Sequence, residues 1–181
     1  MIVIGVDPGT IVSGYGIVET RNDSYYCLDA GSISQPQNRS LPYRLRFIYH
    51  KLTELIDRYS PDQMSIEDVF FSKNARSTLK LGEARGVSIL AAASADIPVF
   101  EYSPTEVKSA ITGNGRASKT DVQKMISTML NMNGFDKSDT SDALAIAICH
   151  INSIGIKNRY GFSIRKKTRS KKRFSLNDIP S

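Results

Sequence analysis

The distribution of apolar and polar residues along the chain predicts an alternation of strands and helices. Apolar runs of strand length, bounded by turn residues, occupy 2–6, 13–20, 24–34, 62–67 and 97–102. Apolar residues at helical spacing, with start and stop signals, predict helices over about 41–59, 75–95, 104–111, 118–131 and 139–152.

The connections between these elements predict how the strands pair. The first three strands are joined by short turns, which favours antiparallel pairing. The strand at 62–67 follows a helix, and such a crossover favours parallel pairing with the first strand. The pattern therefore predicts an α/β fold with a mixed five-stranded sheet flanked by helices.

Length and composition are those of one globular domain. The chain has 181 residues, of which 40% are hydrophobic and 23% charged. No apolar run reaches the roughly 18 residues of a membrane span, and the chain starts directly with a strand. We therefore expect a cytoplasmic protein with no membrane association. Cys27 and Cys149 lack metal-type spacing and are expected to be free thiols.

Positive charge is concentrated near the C-terminus. The segment Arg165–Arg173 holds seven cations and no anion, and subtracting them from the net charge of +6 leaves −1. We predict a domain over 1–155 and a basic, flexible tail over 156–181. Two roles for the tail stay equally open: attraction of nucleic acid, or a disordered solubilising segment.

Four carboxylates stand at positions where chemistry is expected. Asp7 and Glu67 end two strands predicted to be neighbours, and Asp139 and Asp142 share one face at the start of a helix. Clustered carboxylates ionise together only around cations, and oxygen ligands suit Mg²⁺. Two such ions about 3.5–4 Å apart are typical of phosphodiester hydrolysis.

Each acid also has an ordinary structural explanation. Asp7 precedes Pro8 and Gly9 and could simply complete a turn. Asp139 and Asp142 lie in a first helical turn, where the helix dipole favours negative charge. His150, about two turns further along that helix, is expected to be a packed or surface residue rather than a ligand.

Several motifs together resemble the RuvC family of Holliday junction resolvases over about residues 1–155. They are Asp7–Thr10, Ile66–Phe70, Lys73–Ala75, Leu79–Gly86, Tyr102–Lys108, Thr112–Gly115 and Asp139–Ala147. The resemblance implies a ribonuclease H-like fold and a nuclease that cuts four-way junction DNA in recombination and repair. It also implies a homodimer and the RuvA–RuvB branch-migration complex as a partner.

The same resemblance assigns roles to individual residues. It implies that Asp7, Glu67, Asp139 and Asp142 are the catalytic acids and bind two Mg²⁺ ions, which Mn²⁺ could replace. Some family members have histidine where this chain has Asp139. Expected DNA contacts comprise one aromatic wedge and six cations: Phe70, Lys73, Arg76, Lys80, Lys108, Arg116 and Lys119.

The helix over 75–95 has apolar positions covering more than one narrow stripe. It could be a central helix of its own domain, or it could pack on a second copy of the chain as well. The residues leave both open, whereas the resemblance favours the second copy.

Three other functions remain as alternatives. A nuclease of the same fold could act on structured RNA. The turn after Asp7 also resembles the phosphate turn of actin-like ATPases and sugar kinases, although those need a second domain. A non-catalytic DNA architectural protein could be built on the basic tail alone.

Overall fold

A computed structural model describes residues 1–34, 36, 38–68, 75–135 and 137–159, except the side chains of 75–77 and 156–159. The strands are β1 (Ile2–Asp7), β2 (Val12–Arg21), β3 (Ser24–Ser34), β4 (Gln63–Glu67) and β5 (Val99–Tyr102). The helices are α1 (Leu41–Tyr59), α2 (Ala75–Ser94), α3 (Pro104–Thr112), α4 (Lys119–Met129) and α5 (Ser138–Arg159).

The five strands form one mixed sheet in the order β3-β2-β1-β4-β5. β1 pairs antiparallel with β2, and β2 antiparallel with β3, whose connecting turn places Asn22 and Asp23 at φ of 49° and 59°. Asn and Asp tolerate this left-handed conformation, which suits a two-residue hairpin. β4 pairs parallel with both β1 and β5 after helical crossovers, so the predicted mixed five-stranded sheet is confirmed.

Helices cover both faces of the sheet and divide the core in two. Val3 and Val18 lie in the half of the core that is built around α5 and also contains residues of α3 and α4, whereas Ile4 and Val6 lie in the half that contains residues of α1 and α2. Neighbouring residues of β1 therefore point into different halves of the core. This two-sided burial explains why β1 reads as a continuous apolar run rather than an alternating one.

Helix α5 lies unusually close to the sheet. Ala143 to Cys149 are essentially inaccessible to solvent. A Cβ atom added at Gly5 would lie 2.1 Å from the Ala143 carbonyl oxygen, and one added at Gly14 would lie 2.0 Å from that of Asp139. Only glycine permits this approach, which brings the start of α5 down onto the ends of β1 and β2.

Two boundaries differ from the sequence prediction. β5 begins at Val99 rather than 97, because Pro98 has no amide hydrogen to donate to a strand partner. α5 continues to Arg159, beyond its predicted end at 152 and beyond 155, since Gly155 weakens the helical pattern without breaking the helix. The basic segment Arg165–Arg173 lies outside the described residues.

The side chain of His150 is fully buried, in agreement with a packing role. One ring nitrogen is 2.7 Å from the Tyr102 hydroxyl, and the other is 2.6 Å from the Gln63 side-chain oxygen. Cys27 and Cys149 are free thiols, and burial raises the pKa of Cys149 to about 12. Within the described ranges, none of the helices combines the length and apolar character that crossing a bilayer requires.

Candidate metal centre

The site is built on one row of residues that crosses the sheet. Asp7 pairs with Gly14 of β2. On the other side of β1, Val6 pairs with Ile66 of β4, so the residues that follow them, Asp7 and Glu67, lie side by side. Residues opposite one another on paired strands share a face of the sheet. Asp7 and Glu67 therefore project toward α5 at the edge where β1 and β4 end.

Helix α5 contributes two further carboxylates at this edge. Asp139 lies in its first turn and Asp142 three residues later, so both project from one side of the helix. Carboxylate oxygens of Asp7, Asp139 and Asp142 all lie within 4.8 Å of one another, and each of the three residues is half-buried. An all-carboxylate donor set of this kind suits a hard divalent cation.

Repulsion between the acids is visible in their ionisation. Burial, followed by the charges of Glu67, Asp142 and Asp139, raises the pKa of Asp7 from 3.8 to about 7. Burial and then Asp142 raise the pKa of Glu67 as well. Without a cation, the site therefore resists holding all of its negative charges at neutral pH.

Glu67 stands slightly apart from the other three acids. Its oxygens do not belong to the group that lies mutually within 4.8 Å, yet its charge raises the pKa of Asp7. Glu67 is half-buried and ends β4. It is therefore placed to join the three aspartates around a bound ion from the β4 side.

Lys119 supplies positive charge at the cluster. Its ammonium nitrogen donates to Asp142 Oδ2 at 2.5 Å, and its side chain remains 55% exposed. Partial burial lowers the pKa of Lys119, but the hydrogen bond to Asp142 and the neighbouring carboxylates outweigh this and raise it overall. The capping box of Ser118 and Asp121 fixes the helix start that carries this lysine.

The other predicted DNA contacts are more scattered. Lys108 is half-buried on α3, and Arg116 is exposed in the loop before α4. Lys80 is exposed on α2, a helix that packs on the sheet face opposite α5. Phe70 and Lys73 lie outside the described residues, as does the side chain of Arg76.

The acids lie at the sheet edge where β1 and β4 end, outside two clefts of the described structure. Two clefts of about 860 and 900 Å³ are present elsewhere, one between β3 and α1 and one beside the C-terminal half of α5. None of the four acids lines either cleft.

Sequence reasoning missed the residues that bring the acids together. Gly5 and Gly14 let α5 contact the sheet, and Gly14 lies directly against the backbone of Asp139. A glycine inside a predicted strand is a signal of close backbone approach, but it does not say which element approaches.

Comparison with known proteins gives consistent results. The family model of crossover junction endodeoxyribonuclease RuvC matches residues 3–150 of the chain. A protein of that name from Trichlorobacter lovleyi is 43% identical over 170 residues, covering 94% of this chain and 96% of that protein. One from Citrifermentans bemidjiense is 46% identical over 156 residues, covering 86% and 95%.

Solved structures agree with the fold. Thermus thermophilus RuvC superimposes with a TM-score of 0.78 at 30% identity, covering 89% of this chain and 97% of that one. T. thermophilus RuvC in complex with a Holliday junction substrate gives a TM-score of 0.80 at 27% identity, covering 86% and 96%. The ribonuclease H-like fold expected from the sequence resemblance is therefore confirmed.

Proposed function

Because this chain belongs to the RuvC family of crossover junction endodeoxyribonucleases, we propose that it resolves Holliday junctions by paired, symmetric nicks in two strands of like polarity. The observation that carries the proposal is the cluster of Asp7, Asp139 and Asp142, with Glu67 beside it, at the sheet edge. The biological setting of such an activity is homologous recombination and DNA repair.

The four acids would hold two Mg²⁺ ions, and Mn²⁺ could replace them because it accepts the same oxygen ligands. When bound, such a pair of ions supplies an activated water for in-line attack and a counter-charge for the departing 3′ oxygen. Asp7 projects from the middle of the row, between Glu67 and the two aspartates of α5. Its pKa, raised by burial and by the neighbouring carboxylates, supports the assignment of a cation to this position.

Lys119 and Lys108 would act on the scissile phosphate. The Lys119 ammonium neutralises part of the charge on Asp142. The side chain is exposed and long enough to turn toward a phosphate once cations occupy the acids. A positive group there offsets the negative charge that grows on the phosphate in the transition state.

A symmetric junction suits a two-fold protein, and α2 offers the surface for a homodimer. One side of α2 buries Ala84, Ala91 and Ala92 against the domain core. On the same helix Leu79 is 68% exposed and Leu90 is 56% exposed, which is unusual for leucine. This exposed apolar side supports the reading in which α2 packs on a second copy.

The segment between β4 and α2 would carry contacts to the junction centre. In the sequence it follows Glu67, the last residue of β4, directly. Phe70 is proposed as a wedge that stacks on an unpaired base. Lys73 of this segment is proposed as a phosphate contact, together with Arg76 and Lys80 of α2 and Arg116.

The remaining proposals concern organisation and partners. Residues 1–155 would form the nuclease domain, and the tail over 156–181 would add charge-based attraction to DNA. The protein would act in the cytoplasm, together with the RuvA–RuvB branch-migration complex.

Substrate choice tests the proposal. The wild-type protein would be incubated in Mg²⁺ with a synthetic four-way DNA junction, a linear DNA duplex and a structured RNA. Paired nicks at symmetric positions of the junction alone are expected, leaving ligatable 5′-phosphate and 3′-hydroxyl ends. Cleavage of the RNA instead would indicate the same chemistry on another substrate, and junction binding without any cleavage would indicate an architectural protein.

A further inference from the structure

Three polar side chains beside the acids have no role in the proposed function so far. The Lys137 ammonium donates to the hydroxyl of Ser32 at 3.0 Å and to that of Ser34 at 3.2 Å. The two hydroxyl oxygens are 3.4 Å apart. Lys137 directly precedes α5, and the two serines end β3. We call these three residues the β3 cluster.

The β3 cluster lies on the same row and the same sheet face as the acids. Asp7 pairs with Gly14 across β1 and β2, and Gly14 pairs with Ser32 across β2 and β3. Adjacent strands are about 4.7–4.9 Å apart, so Ser32 is about 10 Å from Asp7. The backbone of Asp139 packs against Gly14, so the start of α5 lies over the row between the two groups, with Lys137 on one side and the acids on the other.

The chemistry of the β3 cluster suits an anion with several oxygens. Within the described residues, no carboxylate oxygen lies within 4.0 Å of the Lys137 ammonium. An ammonium has three hydrogens to donate, and the two serines accept from it while keeping hydroxyl hydrogens of their own. The cluster is exposed or half-exposed, so a ligand can reach these donors.

A shallow groove of about 300 Å³ adjoins the β3 cluster. Ser32 and Lys137 line one part of it, and Met132 and Phe135 line another. A nucleotide likewise has a polar and an apolar part, because its charged phosphate is next to the apolar face of its sugar or base. The groove therefore offers room for the nucleotide that carries the bound phosphate.

We propose that Lys137, together with Ser32 and Ser34, binds a phosphate of the strand being cut, about one to three nucleotides from the scissile phosphate. The inference rests on the proposed function, since it assumes that DNA crosses the acid cluster. Lys137 would be a positioning residue: by holding a neighbouring phosphate it fixes which phosphodiester lies over the metal ions.

Binding of a four-way junction in the Asp7→Asn background, where the strand stays uncut, tests the charge of Lys137. We compare Lys137→Gln with Arg21→Gln, which removes one positive charge at the opposite end of β2, where Arg21 pairs with Glu19. Lys137→Gln is expected to weaken binding about three- to tenfold and to lower the salt slope by about one. Arg21→Gln is expected to leave both unchanged.

A series of junctions carrying one neutral methylphosphonate each identifies the phosphate. The protein that retains Lys137 should bind one of these junctions more weakly, namely the one with the methylphosphonate at the contacted position near the scissile phosphate. In Lys137→Gln the same methylphosphonate should cause no loss of affinity. The double variant Ser32→Ala, Ser34→Ala keeps the charge and should reduce the same positional effect.

The outcomes distinguish failure of the β3 cluster as a phosphate contact from failure of the proposed function. Equal affinities and salt slopes for Lys137→Gln and Arg21→Gln, with unchanged methylphosphonate profiles, would overturn the β3 cluster while junction binding remained intact. A wild-type protein that neither binds nor cuts the junction would overturn the proposed function and the cluster together.

Discussion

Replacing Asp7 by asparagine is expected to stabilise the metal-free protein above neutral pH. Burial and then the neighbouring carboxylates raise the pKa of Asp7 from 3.8 to about 7 in the folded chain. Below pH 3.8 this group is protonated in both the folded and the unfolded chain, so it does not affect stability. Between pH 3.8 and 7 the unfolded chain ionises first, and above pH 7 the folded chain bears the full destabilisation.

The size of this effect follows from the pKa shift. A shift of about three pKa units, at 1.36 kcal/mol for each unit, corresponds to roughly 4 kcal/mol in the free energy of unfolding. Asp7 keeps some contact with solvent and with mobile counter-ions, so we expect about half of that, ~2 kcal/mol. In a chain of this length, such a gain raises Tm by about 4–8 °C.

Thermal unfolding followed by circular dichroism in EDTA measures the effect. The Tm difference between Asp7→Asn and wild type should be near zero at about pH 4 and reach its full size at about pH 8. Saturating Mg²⁺ should stabilise the wild type more than the variant, since the ion binds only the folded site. Asp57→Asn removes an exposed carboxylate from α1 and serves as the matched control.

Two results would refute this reasoning. One is an Asp7→Asn protein that is no more stable than wild type at about pH 8 without metal. The other is a stability gain that is the same at every pH, or that Asp57→Asn reproduces, because a general loss of negative charge would then be sufficient.

Three further predictions concern the parts that support the site. Gly14→Ala should lower the rate of junction cleavage about 100-fold, because the added Cβ would displace the backbone of Asp139. Gly155→Ala is the control, since a Cβ at that helix position meets no other atom within 4 Å. Equal activities of the two variants would contradict the argument that α5 needs glycine at position 14. Lys119→Gln should lower the single-turnover cleavage rate about 100-fold with little change in junction affinity, and an unchanged rate would remove Lys119 from the reaction. Leu90→Glu should convert a dimer to monomers in analytical ultracentrifugation, whereas an unaltered mass would exclude this face of α2 as the interface.

Local patterns were sufficient to predict most of the fold. The short turn at Asn22 and Asp23 indicates antiparallel pairing of β2 with β3. The helix before Gln63 indicates parallel pairing of β4 with β1, so the mixed sheet could be derived from the sequence. The acids could be identified because Asp7 and Glu67 end strands and because strand ends of parallel neighbours meet at one edge. Family resemblance then added the roles that position alone left open.

The features that escaped prediction depend on contacts between distant parts of the chain. Lys137 lies 105 residues from Ser32 and 103 from Ser34, so no local pattern links them. The close approach at Gly14 depends on the backbone of Asp139, far along the sequence. Such contacts exist only after the sheet and α5 have packed together.

Cleavage of a four-way junction by wild type and by Asp7→Asn, each in Mg²⁺ and in EDTA, tests the carboxylate-held metal centre most directly. Wild type should cut only in Mg²⁺, and Asp7→Asn should bind the junction with similar affinity but cut at least about 100-fold more slowly. Cutting by Asp7→Asn at the wild-type rate, or cutting by the wild type in EDTA, would contradict a metal centre built on these acids.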